Sequence, residues 1–246
     1  MDMYDPKVYQ KAKEMYEEAK ADQTLIQDQD ICFYIYRLTM DGRAQTGIVA
    51  CALVDDYLNN VIGKDKLSEY TANISFTGFT APKILWVKNK EPENFARIAK
   101  IMLPKDYLAY RLSGSFCTDV SDASGMLLLD VKNRCWSKEM MEICDVKEEQ
   151  LPKLYESWEV VGTLKPEVAK ELGFSADVKV VAGAGDNAAA AVGTGTVGDG
   201  RCNISLGTSG TIFISSKTFG VDSNNSLHSF DHADGYYHLM GCMLSA

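Results

Sequence analysis

The segment that most restricts what this chain can fold into is residues 178–193, VKVVAGAGDNAAAAVG. It begins with an apolar run typical of a strand, and two closely spaced glycines follow. The small residues after them are typical of a helix that packs closely against a sheet. We therefore predict a strand, a tight turn and a helix, with Asp186 and Asn187 where the turn meets the helix.

The same turn also fits the G-x-G-x-x-G/A fingerprint of dinucleotide-binding proteins, from Gly183 to Ala188. In that fold the glycines let a pyrophosphate approach the N-terminus of the helix. Here Asp186 follows the second glycine directly, and at about 4 Å its carboxylate would repel the pyrophosphate. The ribose-binding acid expected about 20 residues further on is also missing, because residues 202–207 read CNISLG. A dinucleotide-binding oxidoreductase is therefore disfavoured.

Two interpretations of Asp186 remain open at the level of local sequence. A carboxylate at a strand end, beside glycines, can be held rigidly in front of open space, which suits a general base for a substrate hydroxyl. Asn187 beside it can both donate hydrogen bonds to a polyol and accept them. In the other interpretation, Asp186 caps the helix that follows.

A second glycine turn, Gly207–Gly210, lies inside NISLGTSGTIFI at residues 203–214. Two β-rich runs flank it, so we predict a hairpin whose backbone N–H groups and whose Thr208 and Ser209 hydroxyls can hold phosphate. The turn lacks the G-K-[ST] of a Walker A loop. Phosphoryl transfer needs a base for the acceptor and donors for the nucleotide phosphates, so the two turns together favour a kinase.

Helix boundaries are marked at several other positions. Ser137 is expected to cap the helix KEMMEICDV, and Thr163 to cap the helix PEVAKEL. Gly114 and Gly173 are placed where they would end two helices.

Composition narrows the class of protein further. The chain has 246 residues and a net charge of −9, which disfavours nucleic acid and anionic membranes as partners. No apolar run approaches the roughly 20 residues of a membrane span, and the charged N-terminus is not a signal peptide. The seven cysteines are scattered, as is typical of reduced thiols, and indicate neither disulfides nor a metal centre. We expect a cytoplasmic protein whose partners are small molecules.

Five segments resemble one known family in their order and spacing. They are GFTAPKILWVKNK, LPKDYLAYRLSG, TDVSDASGMLLLDV, GAGDNAAAAVG and NISLGTSGTIFIS. Residues 62–246 are similar to the middle of the FGGY carbohydrate kinases, and among these to the xylulokinases. The resemblance implies an α/β chain with the ribonuclease-H-like fold of the actin-like ATPases, in which ATP binds between two domains. It also implies phosphorylation of a ketopentose, D-xylulose, with ATP and Mg²⁺ as cofactors.

The resemblance also implies roles for individual residues. Asp186 corresponds to the base that activates the sugar hydroxyl, and Asn187 lies in the sugar pocket. Thr208, within the turn Gly207–Gly210, lies against the ATP phosphates. Asp119 and Ser121 lie near the wall of the sugar pocket. No residue of this chain is assigned to the metal.

Finally, the resemblance divides the chain. Residues 1–60 resemble part of an uncharacterised bacterial domain of unknown function, with a helix and a β-hairpin. Residues 61–200 correspond to part of the kinase N-terminal domain, and residues 201–246 to the start of its C-terminal domain. The family's first phosphate turn, its Met-His-Gly sugar contact and its adenosine-binding stretch have no counterpart here, so we expect an incomplete fold and little or no activity of the chain alone. The alternative is a non-catalytic chimeric or assembly-derived remnant, or a scaffold without enzyme activity.

Overall fold

The computed structural model of the protein describes residues 54–243. Residues 54–57 are helical and continue into a π-helical segment, Leu58–Gly63. The helix and the β-hairpin expected in the first part of the chain lie outside the described residues. No helix within the described part of the chain is long and apolar enough to cross a membrane.

Helices and strands of two to four residues make up the described chain to residue 193, and four strands of four to seven residues follow. The α-helices are α1 (Lys64–Thr71), α2 (Thr80–Lys90), α3 (Pro92–Phe95), α4 (Pro104–Ser113), α5 (Val120–Ala123), α6 (Lys138–Cys144), α7 (Pro166–Leu172) and α8 (Asp186–Gly193). The strands are β1 (Cys117–Asp119), β2 (Leu129–Asp130), β3 (Cys135–Trp136), β4 (Lys153–Tyr155), β5 (Val160–Thr163), β6 (Lys179–Val181), β7 (Cys202–Leu206), β8 (Gly210–Ser216), β9 (His228–Asp231) and β10 (Tyr237–Met243).

Three of the predicted helix boundaries are confirmed. The Ser137 hydroxyl accepts a hydrogen bond from the Met140 backbone N–H at 3.3 Å, which makes Ser137 the cap of α6. Gly114 and Gly173 end α4 and α7 in the left-handed conformation, with φ of 83° and 71°. Glycine adopts this conformation without the steric cost that a Cβ brings.

The prediction that Thr163 caps α7 is wrong. Thr163 is the last residue of β5 and pairs with Lys179 of β6. The cap position belongs to Lys165, because Pro166 occupies the first turn and its fixed φ already suits a helix start. Thr163 is therefore part of the strand pairing, although its local sequence predicted a helix cap.

The hydrophobic core lies around the short segment between α5 and β3. In this segment Met126, Leu127, Leu128, Leu129 and Val131 are fully buried. Helix α2 supplies four more apolar side chains to the same cluster, which are Ile84, Leu85, Trp86 and Val87. Ala191 of α8 and Phe213 of β8 belong to the same cluster, so the elements that follow the two glycine turns pack against this core.

The longer strands form a four-stranded antiparallel sheet in the order β7–β8–β10–β9. In β8, Phe213 and Ser215 are buried, whereas Ile212 and Ile214, which alternate with them, are exposed. This alternation follows from the two-residue period of a strand, since successive side chains point to opposite faces. One face of the sheet therefore packs inward.

Three polar contacts join this sheet to the earlier part of the chain. The Asn73 amide both donates to the Ser229 carbonyl, at 2.9 Å, and accepts from the Ser229 N–H, at 3.0 Å. The Ser124 hydroxyl accepts from the Asp231 N–H at 3.0 Å. Arg134 forms an ion pair of 2.8 Å with the buried carboxylate of Asp231. Strand β9 is thereby held against the turn region of β2 and β3 and the end of α5.

The predicted strand–turn–helix unit is confirmed. Strand β6 pairs with β5, and residues 182–185 then lead directly into α8. Two further bonds extend the pairing into the turn, from the Ala182 N–H to the Glu159 carbonyl and from the Gly183 N–H to the Ser157 carbonyl, both at 3.0 Å. The turn thus begins in a fixed position.

Candidate active site

Asp186 is the first residue of α8, and its side chain is exposed. Its Oδ1 accepts hydrogen bonds from the Asn187 backbone N–H, at 2.7 Å, and from the Asn187 side-chain amide, at 3.0 Å. The cap position belongs to Gly185, so the carboxylate lies inside the first turn of the helix. The positive end of the helix dipole favours a negative charge there.

The second glycine turn lies between β7 and β8. Leu206 pairs with Gly210 across it, and the Gly207 N–H donates to the Ser209 carbonyl at 3.0 Å. Thr208 and Ser209 are exposed at its tip. The predicted hairpin is therefore confirmed, and its hydroxyls face outward.

The structure brings the two glycine turns together. The Thr211 hydroxyl, one residue after the second turn, lies 3.5 Å from the Asn187 side-chain oxygen, a long hydrogen bond. Thr211 also lies opposite Cys242 in the sheet. Partial burial raises the pKa of the Cys242 thiol, and the negative charge of Asp186 raises it further. Asp186, Asn187 and the turn Gly207–Gly210 therefore belong to one surface region.

Beneath the first turn lies a buried charge cluster around Lys105, at the start of α4. The ammonium is 2.8 Å from Asp106 Oδ1, 2.9 Å from Asp119 Oδ1 and 3.9 Å from Asp122 Oδ2. It also donates to the Ala182 carbonyl at 3.0 Å. Asp106 and Asp119 are fully buried, and Lys105 is mostly covered. We call these four side chains the Lys105 cluster.

Asp119 and Ser121 lie directly under the glycine turn. Asp119 Oδ2 accepts hydrogen bonds from the Ser121 N–H at 2.9 Å, from the Ser121 hydroxyl and from the Ser157 hydroxyl at 2.9 Å. The Ser121 hydroxyl in turn accepts from the Gly185 N–H at 3.1 Å. Both side chains are buried, and their expected place at the wall of a sugar pocket stays a prediction.

The charges of the Lys105 cluster act on one another. Burial raises the pKa of Asp122 to about 7 against the opposing effect of Lys105, and the carboxylates of Asp106, Asp119 and Asp186 raise it further. Burial alone would lower the pKa of Lys105, but the attraction of Asp106 and Asp119 outweighs it, so that pKa is raised. Lys105 is therefore fully charged at neutral pH, and Asp122 titrates close to neutrality.

Sequence reasoning did not single out Lys105 or Asp122. Both lie in segments that carried the family resemblance, LPKDYLAYRLSG and TDVSDASGMLLLDV. The only local signal was charge: Lys105 is followed by Asp106, and Asp119 and Asp122 lie three residues apart, shortly before the apolar run MLLLDV. Buried carboxylates are stable when a cation pairs with them, and only the fold shows that these carboxylates share Lys105.

Residues 46–193 match the N-terminal domain of the FGGY family of carbohydrate kinases. The chain belongs to the FGGY family. The xylulose kinase of Escherichia coli K12 is 51% identical over 177 residues, which are 72% of this chain and 36% of that protein. The xylulose kinase of Klebsiella pneumoniae is 46% identical over 187 residues, which are 74% of this chain and 38% of that protein.

Solved structures give the same result. A kinase from Brucella ovis, described as a xyloylose kinase, superposes with a TM-score of 0.74 at 41% identity, over 81% of this chain and 40% of that one. The ligand-bound xylulose kinase of Lactobacillus acidophilus superposes with a TM-score of 0.75 at 28% identity, over 79% of this chain and 40% of that one.

These likenesses confirm the expected α/β class and the actin-like ATPase fold of the FGGY sugar kinases. The chain spans well under half the length of the relatives it matches. The expected domain boundaries near residues 60 and 200 stay predictions.

Proposed function

We propose that this site belongs to an ATP-dependent kinase that phosphorylates D-xylulose. The observation that carries the proposal is the juxtaposition of an exposed carboxylate, Asp186, with the glycine turn Gly207–Gly210, in a chain whose relatives are named xylulose kinases. One turn supplies the base for the acceptor and the other the donors for phosphate, as phosphoryl transfer requires.

Asp186 acts as the general base. As the sugar hydroxyl oxygen forms its bond to the γ-phosphorus and the bond to the ADP oxygen breaks, the Asp186 carboxylate accepts the hydroxyl proton. Two properties suit this role. The carboxylate is exposed to an incoming substrate, and its hydrogen bonds to Asn187 hold its orientation.

Asn187 binds sugar hydroxyls next to the base. Its amide oxygen is already near Thr211, so this amide lies between the base and the second turn. Asp119 and Ser121 form the wall behind the glycine turn, and their hydrogen bonds define the shape of that part of the sugar pocket. A pocket built from such groups discriminates between polyols through buried hydrogen bonds.

The turn Gly207–Gly210 holds the nucleotide phosphates. Its exposed Thr208 and Ser209 hydroxyls and its backbone fit an anion. ATP, when bound, supplies the γ-phosphoryl group. In residues 54–243 no group of three His, Cys, Asp or Glu side chains could hold a metal ion. Mg²⁺ in phosphoryl transfer is commonly held by one or two carboxylates together with substrate phosphates.

The proposal is tested in a hybrid kinase in which residues 62–246 of this chain replace the corresponding part of the Escherichia coli relative. In this hybrid, Asp186→Asn should lower kcat for D-xylulose by about 10²–10⁴-fold, since the amide keeps the shape but cannot accept the proton. The KM for ATP should change little. ADP release, coupled to a dehydrogenase, gives both constants.

Asp177→Asn is the matched control, because Asp177 is exposed in the loop before β6. It should leave kcat unchanged. Near-normal turnover of the Asp186→Asn hybrid would show that Asp186 is not the base. The same assay on the unmodified chain tests the prediction that it has little activity alone.

A further inference from the structure

The glycine turn that carries Asp186 lies against the side chains and backbone beneath it. Gly183 has φ of +83°, and a Cβ at this position would lie 3.1 Å from Lys105 Cδ. A Cβ on Gly185 would lie 3.4 Å from the Asp122 Cα. The turn therefore rests directly on the Lys105 cluster, with no side chain of its own between them.

Two side-chain hydrogen bonds hold this turn from beneath, in addition to the backbone bonds of Ala182 and Gly183. The Lys105 ammonium donates to the Ala182 carbonyl at 3.0 Å, where the turn begins. The Ser121 hydroxyl accepts from the Gly185 N–H at 3.1 Å, immediately before Asp186. Ser121 is itself held by Asp119, which is paired with Lys105. Both bonds thus depend on the same ammonium.

We propose that Lys105 is a positioning residue for Asp186, which holds the turn that carries the base and does not itself contact the sugar. This inference rests on the proposed function, since it takes Asp186 as the base. A base displaced by about 1 Å from its productive geometry can lose on the order of 10²-fold in rate. The Lys105 cluster prevents that displacement.

The charge of Lys105 is part of this role. Asp106 and Asp119 are fully buried, and each lies within 3 Å of the ammonium. Without the cation these two carboxylates would repel each other in a medium where charges are poorly screened. The turn above them would then lose the hydrogen bond from Lys105 to the Ala182 carbonyl, and the paired carboxylates beneath it would move apart.

The first test measures backbone hydrogen exchange in the full chain. Lys105→Met should speed exchange in a peptide covering residues 182–187 by roughly tenfold or more, because both fixing bonds are lost or loosened. Ser121→Ala removes the bond to Gly185 and one hydrogen bond to Asp119, but it leaves Asp119 paired with Lys105. It should also speed exchange there, and it carries the test if Lys105→Met does not fold. Lys88→Met, which removes the exposed pair with Asp145, is the matched control and should leave this peptide unchanged.

The second test separates positioning from a merely structural role. In the hybrid kinase, Lys105→Met and Ser121→Ala should lower kcat by roughly tenfold to a hundredfold, with the KM for ATP unchanged. Lys105→Arg keeps the charge and a donor for the Ala182 carbonyl, so it should recover at least part of kcat. Loss of folded protein alone would lower the active fraction and would speed exchange throughout the chain, whereas loss of positioning speeds it at 182–187 in particular.

The outcomes distinguish the two proposals. If folded Lys105 and Ser121 variants keep both normal exchange and normal kcat, while Asp186→Asn abolishes turnover, Lys105 is not a positioning residue and the proposed function stands. If Asp186→Asn keeps near-normal turnover, the proposed function fails whatever the Lys105 variants do.

Discussion

The strongest prediction for stability concerns Arg134→Met. Arg134 lies in the turn between β2 and β3, and its guanidinium donates to Asp231 Oδ1 and to Glu156 Oε1, each at 2.8 Å. It also donates to the carbonyls of Gly235 and Tyr236, at 2.7 and 3.1 Å. These bonds join the β9–β10 hairpin to the earlier part of the chain.

Loss of the guanidinium leaves the Asp231 carboxylate fully buried and without its cation. Breaking one partner of a buried pair costs about 3–5 kcal/mol, which we expect for Arg134→Met at pH 8.5. Burial already raises the pKa of Asp231 to about 7, against the opposing effect of Arg134. A carboxyl whose folded pKa is raised stabilises the fold at low pH, and this stabilisation is lost as pH rises through the folded pKa. Without Arg134 that pKa rises further, so the loss should be smaller by about 1 kcal/mol or more at pH 5.5.

The assay is urea unfolding at pH 5.5 and pH 8.5, followed by tryptophan fluorescence. Trp158 is a suitable reporter because a Cβ on Gly235 would lie 2.8 Å from its ring. Lys88→Met removes an exposed ion pair with Asp145 and should cost less than about 1 kcal/mol. The double variant Arg134→Met/Asp231→Asn should recover part of the loss. A loss below about 1 kcal/mol at pH 8.5, or one that is equal at both pH values, would refute this reasoning.

Two further predictions concern the turn beneath Asp186. The raised pKa of Asp122, about 7, predicts that the Tm of the chain falls as pH rises from 5.5 to 8.5, and that Asp122→Asn weakens this dependence. Differential scanning calorimetry measures both slopes, and an unchanged slope in the variant would contradict the prediction. Gly183→Ala should lower the free energy of unfolding in urea by about 1–2 kcal/mol, since φ is +83° and the new Cβ would press on Lys105. Gly125→Ala, with open space around it, is the control and should be close to neutral; equal effects of the two variants would exclude backbone strain at Gly183.

Local sequence was sufficient wherever short-range chemistry decides the conformation. The apolar run before Gly183 ends in a turn because glycine tolerates the left-handed conformation found there. The Gly207–Gly210 hairpin follows from two β-rich runs around a turn that glycine permits. The family resemblance added the fold class and favoured the proposed roles of Asp186 and Asn187 over the helix cap, a choice that local sequence left open.

Local sequence failed where two elements compete for one residue. Thr163 has the chemistry of a helix cap, but the β5–β6 ladder uses it, since the gain from pairing with Lys179 depends on a strand 16 positions further on. Likewise, the sequence alone left open whether Asp186 caps its helix. The structure assigns the cap position to Gly185, which leaves the carboxylate exposed.

Tertiary structure alone decided what surrounds the candidate base. Lys105 bonds to the Ala182 carbonyl across 77 positions, and Asn73 bonds to Ser229 across 156. No periodicity or turn signal connects residues so far apart, because such signals report only on neighbours along the chain. These groups meet because packing brings their elements together, and a buried charge or amide must then find a partner among whatever lies beside it. The sequence therefore determined the turn that presents Asp186, and the fold determined what holds that turn in place.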